Sequence, residues 1–459
     1  MINHLFASHA WLPDGWANDV LLEWDDSGSL QRVVPNAVPP SGVEQQQIVL
    51  PGMINLHSHA FQRAMGGLTE RAGDGPDSFW TWRDLMYRFA RHITPDHMAA
   101  IAAQLYAECL RHGYTSVCEF HYIHRQPDGA WYPRMANCAE HILQGARQSG
   151  IGITLLPVLY SWANFGDQPL RAEQNRFQTG VDDVLRLVDE LGVHRSAQVE
   201  VGAAPHSLRA ASIGQIRDLL AGMPDERPIH IHIAEQIREV NDCISFCGQR
   251  PLELLAGQLG LSPRWTLVHA THLNEQELNY LARSGAVAGL CPSTEANLGD
   301  GLFTLPEYLA QHGRFGIGSD SHVSTSPVEE LRWLEYGQRL SYQRRNISLV
   351  PGQKKVADGL WQQALAGGAQ ASGRRVGSLE PGKRADLLVL DADHPNLFDS
   401  EHDDMLARWL FCGNDNLVRD VMVGGQWKVR YGRHVEQPEI IANYRATLAQ
   451  LRKLRQDAA

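Results

Sequence analysis

No stretch of this chain approaches the ~20 consecutive apolar residues that a membrane-spanning helix needs. The opening MINHLFASHAWLPDGW has no basic segment leading into an apolar run. Neither a membrane span nor a secretory leader is therefore expected. Cysteine is scarce: seven in 459 residues, without paired spacing. That excludes a disulfide scaffold and reads as reduced thiols in a cytoplasmic protein. Basic residues are outnumbered, 41 Lys and Arg against 52 Asp and Glu, for a formal net charge of -11. No basic stripe breaks that balance, so nucleic acid is not an expected partner. Repeats of 20–50 residues and low-complexity tracts are also missing. So is the GxGxxG fingerprint that an open dinucleotide-binding sheet carries after its first strand.

What is there is a large apolar fraction, 43%, enough for one large domain and a smaller one. Three zones and a tail follow. Residues 1–50 hold short apolar runs such as DVLLEW and LQRVV between Pro, Gly and Asn, a pattern of short strands. Residues 51–375 alternate strand-like runs with amphipathic stretches, the rhythm of a parallel sheet. Eight candidate strands can be counted: PGMINLHSHAF, YTSVCEF, GITLLPVLY, AQVEVGAAPHS, PIHIHIAE, WTLVHATHL, AVAGLCPS and RFGIGSDSH. Eight such units predict a (β/α)8 TIM barrel within an α/β fold. Its clearest helix is TPDHMAAIAAQLYAECLRHG, with Thr94 as N-cap, Pro95 in the first turn and Gly113 as the stop. Residues 376–436 return to short strands. The tail, 437–459, is a helix with Ile441, Tyr444, Leu448 and Leu451 on one face.

In a barrel, chemistry sits where strands end. Four of the candidates end in metal-type side chains. The first gives His57 and His59, two apart and so on the same side of the strand. The fifth gives His230, His232 and Glu235, the sixth His269 and His272, and the eighth Asp320 and His322. Imidazoles and a carboxylate around one ion with an open position form a catalytic metal arrangement. The residues alone do not settle which histidines bind and which only hydrogen-bond.

These motifs, with GSLEPGKRADLLVLD near the C-terminus, resemble the amidohydrolase superfamily in its mononuclear deaminase branch. The resemblance implies that both chain ends, 1–50 and 376–436, pair into one small β-sandwich beside the 51–375 barrel. It implies His57, His59, His232 and Asp320 as ligands of one divalent metal, zinc foremost, with iron and manganese as alternatives. It places His269 beside the ion, Glu235 and Asp320 in proton transfer, and the chain in a homodimer. The fourth strand segment carries no lysine, which binuclear members use as a bridge; Glu200 stands there instead. One metal is expected.

The mouth of the barrel carries Gln62, Arg83, Tyr122, His206 and Arg209, with Trp80 and Trp82 close in sequence to Arg83. Two arginines with His and Tyr suit a small dicarboxylate better than a nucleobase. LHSHAFQRAMGGLTE, FWTWRDLMY, EFHYIHR, APHSLR and CPSTEANLGDG are similar to the formimidoylglutamate deiminase family of histidine degradation. That resemblance implies hydrolysis of N-formimino-L-glutamate to N-formyl-L-glutamate and ammonia, with those five mouth residues touching substrate. The alternative is another deaminase of the branch, acting on a nucleobase or an adenosyl compound.

Overall fold

The computed structural model describes residues 2–70 and 78–457. Met1, residues 71–77 and the end of the expected tail helix, Ala458 and Ala459, lie outside the described residues. The chain opens with β1 (Ile2–Leu12), β2 (Gly15–Asp25), β3 (Leu30–Val34) and β4 (Glu44–Pro51). Strands β1 and β2 form a hairpin closed by Pro13-Asp14, with Leu12 opposite Gly15. Gly15 has φ +109, which glycine adopts without a Cβ clash.

Past Pro51 the chain enters the middle zone. Gly52 is required there, because a Cβ would stand 2.1 Å from the Thr115 hydroxyl. The strands are β5 (Met53–Ser58), β6 (Tyr114–His121), β7 (Gly152–Leu159), β8 (Val199–Val201), β9 (Ala204–Pro205), β10 (Ile229–Ile233), β11 (Trp265–His269), β12 (Val287–Leu290) and β13 (Arg314–Ile317). They correspond one for one to the eight expected segments, the fourth being split into β8 and β9. All pairings among them are parallel. Every residue of β5, β6 and β7 is buried, as strands covered on both faces must be. Hydrogen bonding draws two ladders, β5-β6-β7-β8 and β10-β11-β12-β13. Single parallel bridges, Ser58 to Asp320 and Ala203 to Ile229, connect them at both edges.

The last strands, β14 (Leu387–Leu390), β15 (Val418–Val423), β16 (Gln426–Arg430) and β17 (Arg433–His434), join the first four. The order is β17-β16-β15-β14-β4-β1-β2-β3, a single eight-stranded sheet built from both chain ends. Leu5, Val20, Leu22, Val49, Leu387 and Val389 pack together in its own apolar cluster.

Helices cover the parallel strands. In Pro95–His112 the Thr94 hydroxyl accepts the His97 N–H, and Gly113 ends the helix at φ +104, as the sequence predicts. The terminal helix Gln437–Asp457 lies against this one. His97 Nε2 donates to Gln450 Oε1 at 2.9 Å. Its deepest apolar residue is Ile440, 1% exposed and packed on Ala103 and Ala107. Ile441, expected on the buried face, is only half-buried. Tyr444, Leu448 and Leu451 pack against the core as the sequence predicts, so the buried stripe is the expected one widened to include Ile440.

Candidate metal centre and substrate pocket

Where the parallel strands end, four side chains from three segments meet. His57 is in β5 and His59 directly follows it; His232 is in β10; Asp320 follows β13. His57 Nε2 lies 2.9 Å from His232 Nε2 and 3.1 Å from His59 Nε2. Asp320 Oδ1 is 3.5 Å from His57 Nε2 and 3.3 Å from His59 Nε2. All four are buried.

The outer ring nitrogens fix the tautomers. His59 Nδ1 donates to the Phe120 carbonyl at 2.9 Å, and His232 Nδ1 to the His206 carbonyl at 3.0 Å. Their Nε2 lone pairs therefore point inward at one another. Burial pushes the His57 and His232 imidazoles well below their ordinary pKa and that of His59 down to about 3, holding all three neutral. Burial also drives the Asp320 carboxyl up to about 7. Converging imidazole lone pairs beside a buried acid are a donor arrangement that can hold a metal ion. Ligands about 2.0–2.1 Å from a tetrahedral centre stand roughly 3.3 Å apart, close to the 2.9–3.5 Å of the four contacts that His57 and His59 make with each other, with His232 and with Asp320. The donor set fits one divalent ion.

The backbone is bent to make this possible. Ala234, His269, Ala270, Asp320 and His322 have φ between +46 and +67, the left-handed region that costs side-chain-bearing residues of order 1–3 kcal/mol each. Gly318 has to be glycine: a Cβ there would stand 2.8 Å from the His57 Cβ.

His269 lies beside the cluster. Its Nε2 is 3.6 Å from Glu235 Oε1 and 3.8 Å from Asp320 Oδ2, while Nδ1 donates to Glu295 Oε1 at 3.2 Å. Burial alone would lower its pKa, but Glu235, the Glu295 hydrogen bond and Asp320 outweigh it and raise the imidazole to about 10. His230 is a core residue, donating through Nε2 to the Ala371 carbonyl. Glu200 does not approach the cluster; it pairs with Arg195 at 2.7 Å and Arg227 at 3.3 Å.

The sequence reasoning missed several supports. Glu119 accepts from Ser58 Oγ, the Ala60 N–H and Tyr106 OH at 2.5, 2.7 and 3.0 Å. His322, one of the strand-end histidines, is buried in a supporting place, where it accepts the His59 N–H at 3.2 Å. Glu295 accepts the Cys291 N–H as well as His269. A lone carboxylate inside the apolar run YTSVCEF was the available signal for Glu119. Glu295 carried none beyond its place in CPSTEANLGDG.

One pocket brings His59, His232 and Asp320 of this cluster together with all five mouth residues, Gln62, Arg83, Tyr122, His206 and Arg209. Gln62 Nε2 donates to Tyr122 OH at 2.9 Å, and its buried Oε1 has no partner among the described residues. Arg209 is buried, with Nε 4.0 Å from Glu239 Oε2. The Arg83 guanidinium stands 4.4 Å from the Trp80 ring centre and forms no ion pair among the described residues. Arg238, which sequence reasoning did not single out, lies 4.5 Å from the same ring, and Arg209 5.8 Å from it. Trp80 thus gathers three guanidiniums at one side of the pocket.

Comparison with known proteins agrees with this geometry. A formimidoylglutamate deiminase of Pseudomonas aeruginosa is 53% identical over 431 residues, 94% of this chain and 95% of its own length. An 8-oxoguanine deaminase of the same organism is 28% identical over 88% of each chain. The crystal structure of an amidohydrolase from Brucella melitensis superposes with a TM-score of 0.93 at 40% identity, covering 98% of this chain and 99% of that one. An adenosine deaminase from Xanthomonas campestris, solved with bound zinc, shares the fold: TM-score 0.78, 20% identity, 98% of each chain covered. The model of the amidohydrolase family matches residues 48–428, and the chain belongs to that family.

Proposed function

We propose that this chain is a metal-dependent hydrolase that converts N-formimino-L-glutamate and water to N-formyl-L-glutamate and ammonia, a step of histidine degradation. The observation that carries the reading is the 53% identity, over 94% of the chain, to a formimidoylglutamate deiminase. The pocket supports it. His57, His59, His232 and Asp320 would hold one divalent ion, zinc first. When bound, such an ion supplies Lewis acidity and brings the pKa of a water molecule toward ~7.

The rest falls to the chain's own residues. Arg83 and Arg209 receive the two glutamate carboxylates by charge-assisted hydrogen bonds. His206 and the Gln62–Tyr122 pair line the path between those arginines and the histidine cluster, and the unpartnered Gln62 Oε1 accepts an N–H of the formimino group. That group is amidine-like and cationic, and Glu235 and Asp320 face it with negative charge. Asp320 takes a proton from the attacking water as the water oxygen bonds to the formimino carbon. Asp320 returns that proton, relayed through Glu235, to the terminal nitrogen, because nitrogen leaves poorly unless protonated, and the remaining hydroxyl proton passes to Glu235 as the C–N bond breaks. His269, held by Glu295, stabilises the charge that builds on the added oxygen. The C–N bond breaks, ammonia departs, and the carbon is left as the formyl group.

The same reading extends to the architecture. The two parallel ladders close as a (β/α)8 barrel over 51–375, and the sheet of 1–50 and 376–436 curls into a β-sandwich, followed by the 437–459 helix. The protein works as a cytoplasmic homodimer. The test is ammonia release from N-formimino-L-glutamate, guanine and S-adenosylhomocysteine by metal-replete protein. Turnover of the first alone is expected. Preference for guanine or the adenosyl compound overturns the reading in favour of another deaminase.

A further inference from the structure

A second cavity, of about 340 Å³, opens at the other end of the parallel strands, between them and the end sheet. Its lining carries three guanidiniums, Arg374, Arg375 and Arg384, and one carboxylate, Glu200. That balance is anomalous in a chain of net charge -11. Glu200 offers the three little compensation, because Arg195 already holds both its oxygens at 2.7 and 3.1 Å and Arg227 adds a contact at 3.3 Å.

The arginines are built in. Arg374 and Arg384 are each 8% exposed. Arg374 Nη1 donates to Ser116 Oγ at 2.5 Å and Nη2 to the Ala197 carbonyl at 3.0 Å. Arg384 Nη1 donates to the Ser27 carbonyl at 2.7 Å. The Nε of Arg374 has no hydrogen-bond partner, while that of Arg384 stands 3.9 Å from the buried Asp386 carboxylate, which offsets one of the positive charges. Arg375 is exposed and makes no side-chain hydrogen bond or ion pair among the described residues. Ser196 Oγ accepts the N–H groups of Gln198 and Val199, both at 3.2 Å, so its own proton is available to donate. Two buried guanidiniums that share the single Asp386 carboxylate, a third with no ion pair among the described residues and a donating hydroxyl leave an excess of positive charge around an open space, the makings of an anion receptor.

We propose that this cavity binds a doubly charged oxyanion of the phosphate class between Arg374, Arg375 and Arg384, with the Ser196 hydroxyl as a further donor. Arg374 is anchored to β6 through Ser116, whereas Arg384 bridges to Ser29 beside β3. A bound anion therefore ties the parallel strands to the end sheet and stabilises the native chain by mass action. The site is independent of the deimination reading, since none of these residues lines the substrate pocket.

The experiment is calorimetric titration of inorganic phosphate into the metal-replete full chain, with ionic strength held constant by chloride, alongside Tm measured with and without phosphate. Saturable binding and a raised Tm are expected. Arg375→Ala, at an exposed position, should weaken binding at least about tenfold, the scale of one charge-assisted hydrogen bond. Arg83→Ala, in the substrate pocket, should leave it intact. Absence of saturable binding, unchanged affinity in Arg375→Ala, or loss of binding in Arg83→Ala would each overturn the proposal.

Discussion

Glu295 Oε1 accepts the Nδ1 proton of His269 at 3.2 Å, which leaves the Nε2 of that ring facing Glu235 and Asp320. Glu295 makes no hydrogen bond to His57, His59, His232 or Asp320 among the described residues. Glu295→Gln keeps an acceptor for Nδ1 but removes the charge that favours the imidazolium. The expected outcome is a kcat about 10–100-fold lower with metal content unchanged. Steady-state kinetics together with elemental analysis checks it; loss of metal would mean that Glu295 acts through the ligands instead.

Glu235→Gln should retain the metal and lose about 10²-fold or more in kcat, the range of general acid–base catalysis. Glu235 stands 3.6 Å from His269 in the same pocket as Asp320, so its proton has a short path to a departing nitrogen. Near-normal turnover in the metal-replete variant contradicts the role assigned to it.

Arg83 and Arg209 should respond differently to removal. Arg83 forms no ion pair among the described residues, and the Trp80 and Tyr87 rings stand 4.4 and 5.5 Å from its guanidinium. Arg83→Ala therefore costs about 0.5–1 kcal/mol of stability and raises KM tenfold or more, with kcat little changed. Arg209 is buried 4.0 Å from Glu239, itself fully buried. Arg209→Ala strands that carboxylate and should cost about 3–5 kcal/mol on top of a raised KM. Substrate saturation curves paired with thermal melts separate the two effects.

Thr94→Ala removes the side-chain acceptor for the His97 N–H at the start of Pro95–His112. The cost should be about 1 kcal/mol, read as a lower denaturation midpoint, with KM and kcat untouched because the cap lies outside the pocket.

That cap shows what a sequence exposes: Thr94, Pro95 and Gly113 act through their own backbone, so their roles are written locally. The same holds for the strand ends. A parallel β/α architecture sends strand termini to one place, which made His57, His59, His232, His269 and Asp320 candidates together; the choice of four of them as ligands rested on the family resemblance. Glu119, Glu239 and Glu295 escaped notice because each acts on a neighbour brought to it by tertiary contact. Nothing near Glu295 in the chain says that His269 will stand beside it. In the terminal helix Tyr444, Leu448 and Leu451 lie on the expected face, while the burial of Ile440 depends on Ala103 and Ala107, which only the fold brings to it. Trp80 was visible as an aromatic near Arg83, but Arg238 joins it only through the fold.

The most direct test of the metal centre is the number of metal equivalents per chain in the wild type and in His57→Ala with His232→Ala. One equivalent in the wild type, falling below about a tenth in the double variant while the chain stays folded, is the predicted result. Two equivalents, or full occupancy without those imidazoles, would contradict it.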